Sequence, residues 1–176
     1  MRDEAMETRL NAEIQAFIDS RRSLQLATLG EDSLPYASYA PFARDEDSLY
    51  VILSDMALHG LNLIAEPRAS VLIIEDEDSA AELFARRRVS YQIVAEELPV
   101  GAPEWHCGIE RLEERHGERA RQLSQLADFR LFRLRPRSGR YVKGFGKAYR
   151  LSGGRLAHTA IDHLHDGHRP RQGRAA

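Results

Sequence analysis

SLQLATLGEDSLPYASYAPFARDEDSLYVILS, residues 23–54, is the stretch that decides the fold. It holds three short runs of aliphatic, aromatic and β-branched residues, the composition that suits a pleated, half-buried surface. Ser23 to Leu29 reads as a first strand, Leu34 to Phe42 as a second and Ser48 to Ser54 as a third. Glu31-Asp32-Ser33 is turn-like. Pro35 and Pro41 cannot donate to a sheet ladder, so the second strand belongs at an edge or a bulge. Arg44 to Asp47 makes a longer polar loop, and no two-residue hairpin is required there.

Outward from this core the pattern alternates between helical and extended. Leu10, Ile14, Phe17 and Ile18 form one apolar stripe among charges, which predicts a helix over residues 4–21. Ala57 to Ala65 reads as a short helix ended by Glu66-Pro67. Ala69 to Ile74 is apolar on both faces and reads as a buried strand. Ser79 to Ala85 reads as a further short helix, with Ser79 as N-cap and Glu82 at the capping-box position. Arg86 to Ala95 alternates cleanly, with Val89, Tyr91 and Ile93 on one face and Arg88, Ser90 and Gln92 on the other. Pro103 to Leu123 is predicted helical, and Asp128 to Leu134 and Gly139 to Leu151 are the last two strands. Gly144 and Gly146 inside that last strand point to a bulge or to a backbone that something large approaches. The fold class is therefore mainly β with helices, α+β, an antiparallel barrel with helical insertions. The expected division is an N-terminal helix at 1–22, a barrel at 23–152 and a C-terminal histidine-rich tail at 153–176, all in a single domain.

Length and composition narrow the function classes. A chain of 176 residues suits one domain with a real core. Its formal net charge of −2 gives no whole-chain electrostatic case for nucleic acid. Cys107 is the one cysteine, which excludes an internal disulfide and a cysteine-rich zinc site and fits a reducing compartment. Met1 to Thr8 is charged, without the apolar core of a secretion signal, and no segment approaches a membrane span. A cytoplasmic location without membrane contact is expected.

The tail carries the densest chemistry. His163, His165 and His168 fall within six residues of one another, beyond everything that reads as barrel. Neutral imidazole is the usual protein ligand of haem iron and a common one for zinc, copper or nickel. Gly167 gives the loop a tight turn that favours His168 over its two neighbours, and a divalent metal held by His-x-His-x-x-His is the rival reading.

The motifs taken together have a family likeness. The runs SLQLATL, PYASYAPF, LYVILS, ALHGLNL and EPRASVLI resemble the split barrel of the pyridoxamine-phosphate oxidase and FMN-binding proteins. SYAPF, IIEDE, LFARRR, SQLADFRLFRL, VKGFGKAY and the terminal DGHR resemble the haem-utilisation branch of that fold, the HugZ/HutZ-type haem-degrading proteins. The likeness runs from about Ser23 to Arg169. It implies a homodimer with haem at the interface, a C-terminal haem-binding loop, and His168 as the ligand of the haem iron. It implies that Asp128 hydrogen-bonds that histidine across the interface and that Arg88 is a distal arginine. It implies dioxygen and an external electron donor as co-substrates, with an opened tetrapyrrole and ferrous iron as products.

The residue chemistry agrees with these roles. A carboxylate that accepts the imidazole N–H fixes the ring and makes the ligand more basic, as Asp128 would; its plainer reading is a turn cap after Gln125-Leu126-Ala127. A permanently charged guanidinium, Arg88, suits hydrogen bonding beside the iron, whereas Arg86 or Arg87 reads as a surface residue of the basic triplet. Haem propionates need cations, and Lys143, Arg169 and Arg171 are the candidates. There is no Cys-x-x-Cys-His run, so the haem is held non-covalently. FMN is the alternative cofactor. It is disfavoured because His59 stands where FMN-using relatives present a basic residue to the flavin phosphate, with no Arg or Lys adjoining it. His59 then reads as a partly buried structural histidine. Tyr39 and Phe42 fit either a flat ring or the barrel core, and His106 and His116 read as solvated. A flavin-dependent oxidoreductase and a non-enzymatic haem carrier are the competing functions.

Overall fold

The computed structural model describes residues 4–156 and 160–164. In chain order it runs α1 (Glu4–Asp19), β1 (Ser23–Leu29), β2 (Pro35–Pro41), β3 (Ala43–Arg44), β4 (Leu49–Ser54), α2 (Leu58–Ala65), β5 (Arg68–Ile74), β6 (Arg88–Leu98), α3 (Pro103–His116), α4 (Glu118–Ser124), β7 (Phe129–Val142), β8 (Ala148–Ser152) and β9 (Ala160–Leu164). Strands form where apolar residues alternate. Leu24, Leu26 and Thr28 of β1 and Val89, Tyr91 and Ile93 of β6 all point inward.

The strands make one antiparallel sheet in the order β2-β1-β5-β6-β7-β4-β3, with β8 and β9 added beside β7. β7 organises it. One edge of β7 pairs with β6 along nearly its whole length. The other edge is shared: Phe129 to Leu134 pair with β4, and Ser138 to Val142 pair with β8. The register shifts between Gln92 and Ile93, opposite Pro136 to Ser138. Proline has no N–H to give, and this bulge is where a strand tolerates it. The changeover makes the barrel a split one.

The core lies inside the curl of the sheet. Leu10, Ile14, Phe17 and Ile18 of α1 are buried there against Leu26, Val71, Tyr91, Phe132 and Tyr141. Each such side chain contributes about 1.5–3 kcal/mol relative to exposure, far more than the helix propensity of a 16-residue segment supplies alone. A smaller cluster joins Ile109 and Leu112 of α3 and Ala120 of α4 to Tyr50, Leu98 and Leu131.

Several boundaries differ from the sequence expectation. The helix expected over 79–85 is two single 3₁₀ turns, Glu77–Ser79 and Leu83–Ala85. Ser79 ends the first turn, its hydroxyl donating to Asp76 O at 3.2 Å, and Glu82 accepts from Phe84 N at 2.9 Å to open the second. Leu83 and Phe84 are exposed, so no burial sustains a longer helix here. The expected helix over 103–123 breaks at Gly117, whose φ of +79° only glycine adopts readily. The two final strands are divided differently: β7 runs straight through Pro136, and Gly144 to Gly146 form the turn to β8, with Gly146 at φ +66°. The 69–74 strand buries only alternate residues, Ala69, Val71 and Ile73. Its other face belongs to the outer side of the sheet. The segment expected to lie beyond the barrel contributes β9, paired to β8 from Ala160 to Leu164.

Gly139 shows how tightly the β6–β7 pair is fitted. A Cβ there would stand 2.6 Å from the Tyr91 ring and 2.8 Å from Ser90 O. Gly139→Ala is expected to cost about 1–3 kcal/mol, read as a lower urea midpoint with an unchanged slope. An unchanged midpoint would show that the two strands have slack here.

Candidate functional site

The chemistry-bearing side chains gather at the two ends of β7. At its C-terminal end Arg88 pairs with Val142 and Ser90 with Arg140 across the β6–β7 ladder. These residues line a groove of about 330 Å³ with Phe84 and, from the β7–β8 turn, Gly144 and Phe145. Phe84 is 89% exposed and Phe145 59%, so the groove offers two aromatic faces beside two guanidinium groups. That combination suits a flat, largely apolar molecule carrying anionic groups.

The three arginines of the 86–88 triplet have separate fates. Arg86 Nε donates to Glu75 O at 3.0 Å. The Arg87 guanidinium lies 4.9 Å from the centre of the Phe17 ring and so packs against α1. Both are half-buried, not the surface residues expected. Arg88 alone lines the groove, and its Nη1 donates to Arg86 O at 2.9 Å. This contact restrains the side chain and leaves its other N–H groups available to a ligand.

Lys143 is engaged elsewhere. Its ammonium donates to Glu13 Oε2 at 2.8 Å, and Tyr141 OH donates to Glu13 Oε1 at 2.7 Å. Burial alone would raise the Glu13 pKa, but the hydrogen bonds from Lys143 and Tyr141 outweigh it and hold the carboxyl below its usual range. Lys143 therefore ties α1 to β7.

The strand leading into the tail is docked on the same end. Tyr141, Tyr149 and His163 lie side by side across β7, β8 and β9, with ring centres 6.2 Å and then 4.9 Å apart. His163 Nε2 lies 3.2 Å from Gly146 O, in the turn that lines the groove. β9 thus delivers the chain beside the groove. His165, His168, Arg169 and Arg171 lie outside the described residues.

Asp128 stands at the opposite end, immediately before β7. Its Oδ2 accepts from Ser54 Oγ at 3.1 Å and its carbonyl from Asp55 N at 2.7 Å. Ser54 Oγ in turn accepts from Met56 N at 3.0 Å. The carboxylate thus joins the start of β7 to the end of β4 and does not cap the turn after Gln125-Leu126-Ala127; it uses one oxygen and leaves Oδ1 without a partner among the described residues. Asp128 and Arg88 are separated by the whole of β7, on the order of 40 Å along the strand at ~3.3 Å per residue. The chain does not bring them together in one copy.

The remaining aromatic and histidine residues sort by burial. Phe42 is core, and Tyr39 is 68% exposed on the outer face. His106 is exposed, but His116 is not simply solvated: its Nε2 lies 2.8 Å from Phe42 O and joins α3 to the barrel. His59 is half-buried, with Nδ1 2.9 Å from Ser38 Oγ. Burial pushes its pKa down, so the ring is neutral near pH 7 and presents no fixed charge to a phosphate. Phe84 and Phe145 belong to the groove, inside the LFARRR and VKGFGKAY motifs though neither motif singles them out, and so does Arg140, to which no motif points. Arg140 neighbours the buried Tyr141 and so must face outward, but only the strand register sets it beside Ser90 and Arg88.

A curled antiparallel sheet split along one bulged strand, with a helix filling the curl and a ligand-sized groove at its rim, defines a split-barrel protein of the pyridoxamine 5′-phosphate oxidase type. The family model of that description, Pyridoxamine 5′-phosphate oxidase, matches residues 10–143. Within that class the chain belongs to the HutZ-type haem-utilisation family. It is 42% identical over 169 residues to the protein named heme oxygenase HutZ of Vibrio cholerae, an alignment covering 96% of this chain and 95% of the relative. The crystal structure of HutZ, the heme storage protein from Vibrio cholerae, superposes with a TM-score of 0.72 at 39% identity, covering 76% of this chain and 94% of that one. The crystal structure of Campylobacter jejuni ChuZ superposes with a TM-score of 0.80 at 29% identity, covering 91% of this chain and 65% of that one. Among the described residues no helix is long and apolar enough to cross a membrane.

The half-buried, neutral His59 sets a pH dependence. As pH falls, the unfolded chain protonates this ring first, because its folded pKa is depressed. The stability it contributes is complete above about pH 6.5 and is lost as pH falls through the folded value. The advantage of the wild type over His59→Gln in urea denaturation is therefore expected to shrink between about pH 7 and about pH 5. A constant difference across that range would mean that His59 takes up its proton freely in the folded state.

Proposed function

We propose that this protein binds haem between two copies of itself and opens the macrocycle with dioxygen and electrons from an external donor, releasing iron. The observation that carries this reading is the division of the site along β7. The groove with Arg88 and the strand leading to the histidine tail lie at one end, and Asp128, with one oxygen unpaired, lies at the other. A second copy packed against the first would bring Asp128 of the partner subunit to the groove. The outer face of β1, β5 and β6 favours such a copy: Gln25, Ala27, Ser70, Leu72, Ser90 and Gln92 are small or uncharged, and no helix covers them among the described residues.

The roles follow from chemistry. His168 is the iron ligand carried by the tail. Asp128 of the partner subunit accepts the N–H of that imidazole, fixing its orientation and raising its basicity. Arg88, held by the Arg86 carbonyl, would offer the bound macrocycle a permanent positive charge and N–H donors from the groove wall. Phe84 and Phe145 exclude water from its faces. Haem itself, as substrate, supplies the redox-active iron. Lys143, committed to Glu13, is not the propionate partner, and Arg169 remains a candidate. The single cysteine supports a cytoplasmic setting.

The 42%-identical relative is named a heme oxygenase, whereas the HutZ of known crystal structure is called a heme storage protein. A haemin titration followed by ascorbate in air separates the two activities. A saturable Soret band that then decays, with iron trapped by a ferrous chelator in the presence of catalase, is the expected result. A stable Soret band would establish storage instead, and no band would return the reading to a flavin.

The shared site has a sharper test. His168→Ala and Asp128→Asn proteins are each expected to lose most haem turnover, the Asn variant while keeping haem binding. Co-refolded together, they should form mixed dimers with one site that carries both native residues, and turnover should return in part. No recovery would put both residues in one subunit.

A further inference from the structure

The groove carries a second arginine to which the roles above assign nothing. Arg140 lies opposite Ser90 on β6 and diagonal to Arg88, a placement that sets the two residues about 7–8 Å apart. Its other register partner, on β8, is Arg150. Like charges directly opposite on one sheet face are destabilising. No carboxylate pairs with Arg140 or with Arg150 among the described residues, and of the two only Arg140 lines the groove. The elements around it show what a satisfied arginine looks like in this chain: Arg130 is paired to Asp55 at 2.6 Å and Arg133 to Glu96 at 2.9 Å. Arg88 is tethered by a carbonyl, but Arg140 points into the groove without a partner.

We propose that Arg140 is the anchor for a carboxylate of the bound macrocycle. This rests on the haem reading. Haem has its iron at the centre and its two carboxylates along one edge, so a group beside the iron and a group on a carboxylate must stand apart by part of the ring. Arg88 and Arg140, diagonal on adjacent strands, are so spaced. A guanidinium gives a carboxylate two parallel N–H donors, which fixes the ring's rotation in its plane as well as holding it. Arg140 thereby decides which edge of the ring faces the turn that carries Phe145 and which faces solvent. It is a positioning residue with a direct ligand contact, and it takes the role that Lys143, bound to Glu13, is not free to play.

The test compares haemin with haemin dimethyl ester, whose carboxylates are blocked, on the wild type, Arg140→Gln and Arg140→Lys. The wild type is expected to bind haemin about tenfold more tightly than the diester. Arg140→Gln is expected to lose that preference by weakening haemin alone, and Arg140→Lys to keep part of it. Arg140 is exposed and makes no internal contact that folding needs, and the diester measurement on the wild type stands whatever the variants do. Equal wild-type affinity for both ligands, or a preference that survives Arg140→Gln, overturns the assignment while leaving haem binding intact. Failure of the wild type to bind haemin would overturn the haem reading itself, and this inference with it.

Discussion

The pairing of β6 with β7 is the constraint on which the rest of the molecule depends. β7 gives nearly the whole of one edge to β6 and divides the other between β4 and β8. A straight strand of this length, 14 residues, would carry both partners on a flat sheet. A bulge bends its strand; this one lies opposite Gln92 and Ile93, two residues before Gly139, which leaves room for the Tyr91 ring. The candidate site inherits its layout from this arrangement: the groove at one end, Asp128 at the other, and β9 laid beside β8.

Electrostatics in this chain is distributed with economy of position. Arg130, Arg133 and Arg135 of β7 are matched to Glu96 and Glu97 of β6 and to Asp55 just after β4. Arg115 reaches across to the carbonyls of Ile18, Asp19 and Arg21, where the end of α1 and the residues after it leave acceptors exposed. Exposed pairs of this kind contribute little stability each. At the groove no carboxylate engages Arg88 or Arg140 among the described residues, which suits a site for an anionic ligand.

Local pattern carried much of this structure in the sequence. The stripe of Leu10, Ile14, Phe17 and Ile18 and the alternation through Val89, Tyr91 and Ile93 stand as their periodicity implies, and the three strands expected within residues 23–54 form, joined by the two-residue β3 at the edge of the expected loop. What stayed hidden depended on partners distant in the chain. Pro136 reads as a break until β6 is seen to absorb it with a bulge. Lys143 reads as a free cation until Glu13, 130 residues away, is found beside it. Arg140 is an ordinary exposed residue until strand register sets it in the groove. The short β9 has too few residues for a period to declare itself. Motif singled out Arg88 and Asp128 as candidates, but only strand register shows them at opposite ends of one strand.

The sharing of β7 also governs how the chain comes into being. β4 pairs with β7 from Ser54↔Phe129 to Leu49↔Leu134, and its other neighbour is the two-residue β3. On a ribosome adding roughly 5–20 residues per second, the apolar LYVILS segment emerges seconds before the strand that will cover it. During that interval its open edge is a template for misplaced pairing. A protein built around one late, shared strand thus spends its synthesis with its oldest strands waiting, and the yield of native molecules is set by how well that wait is guarded.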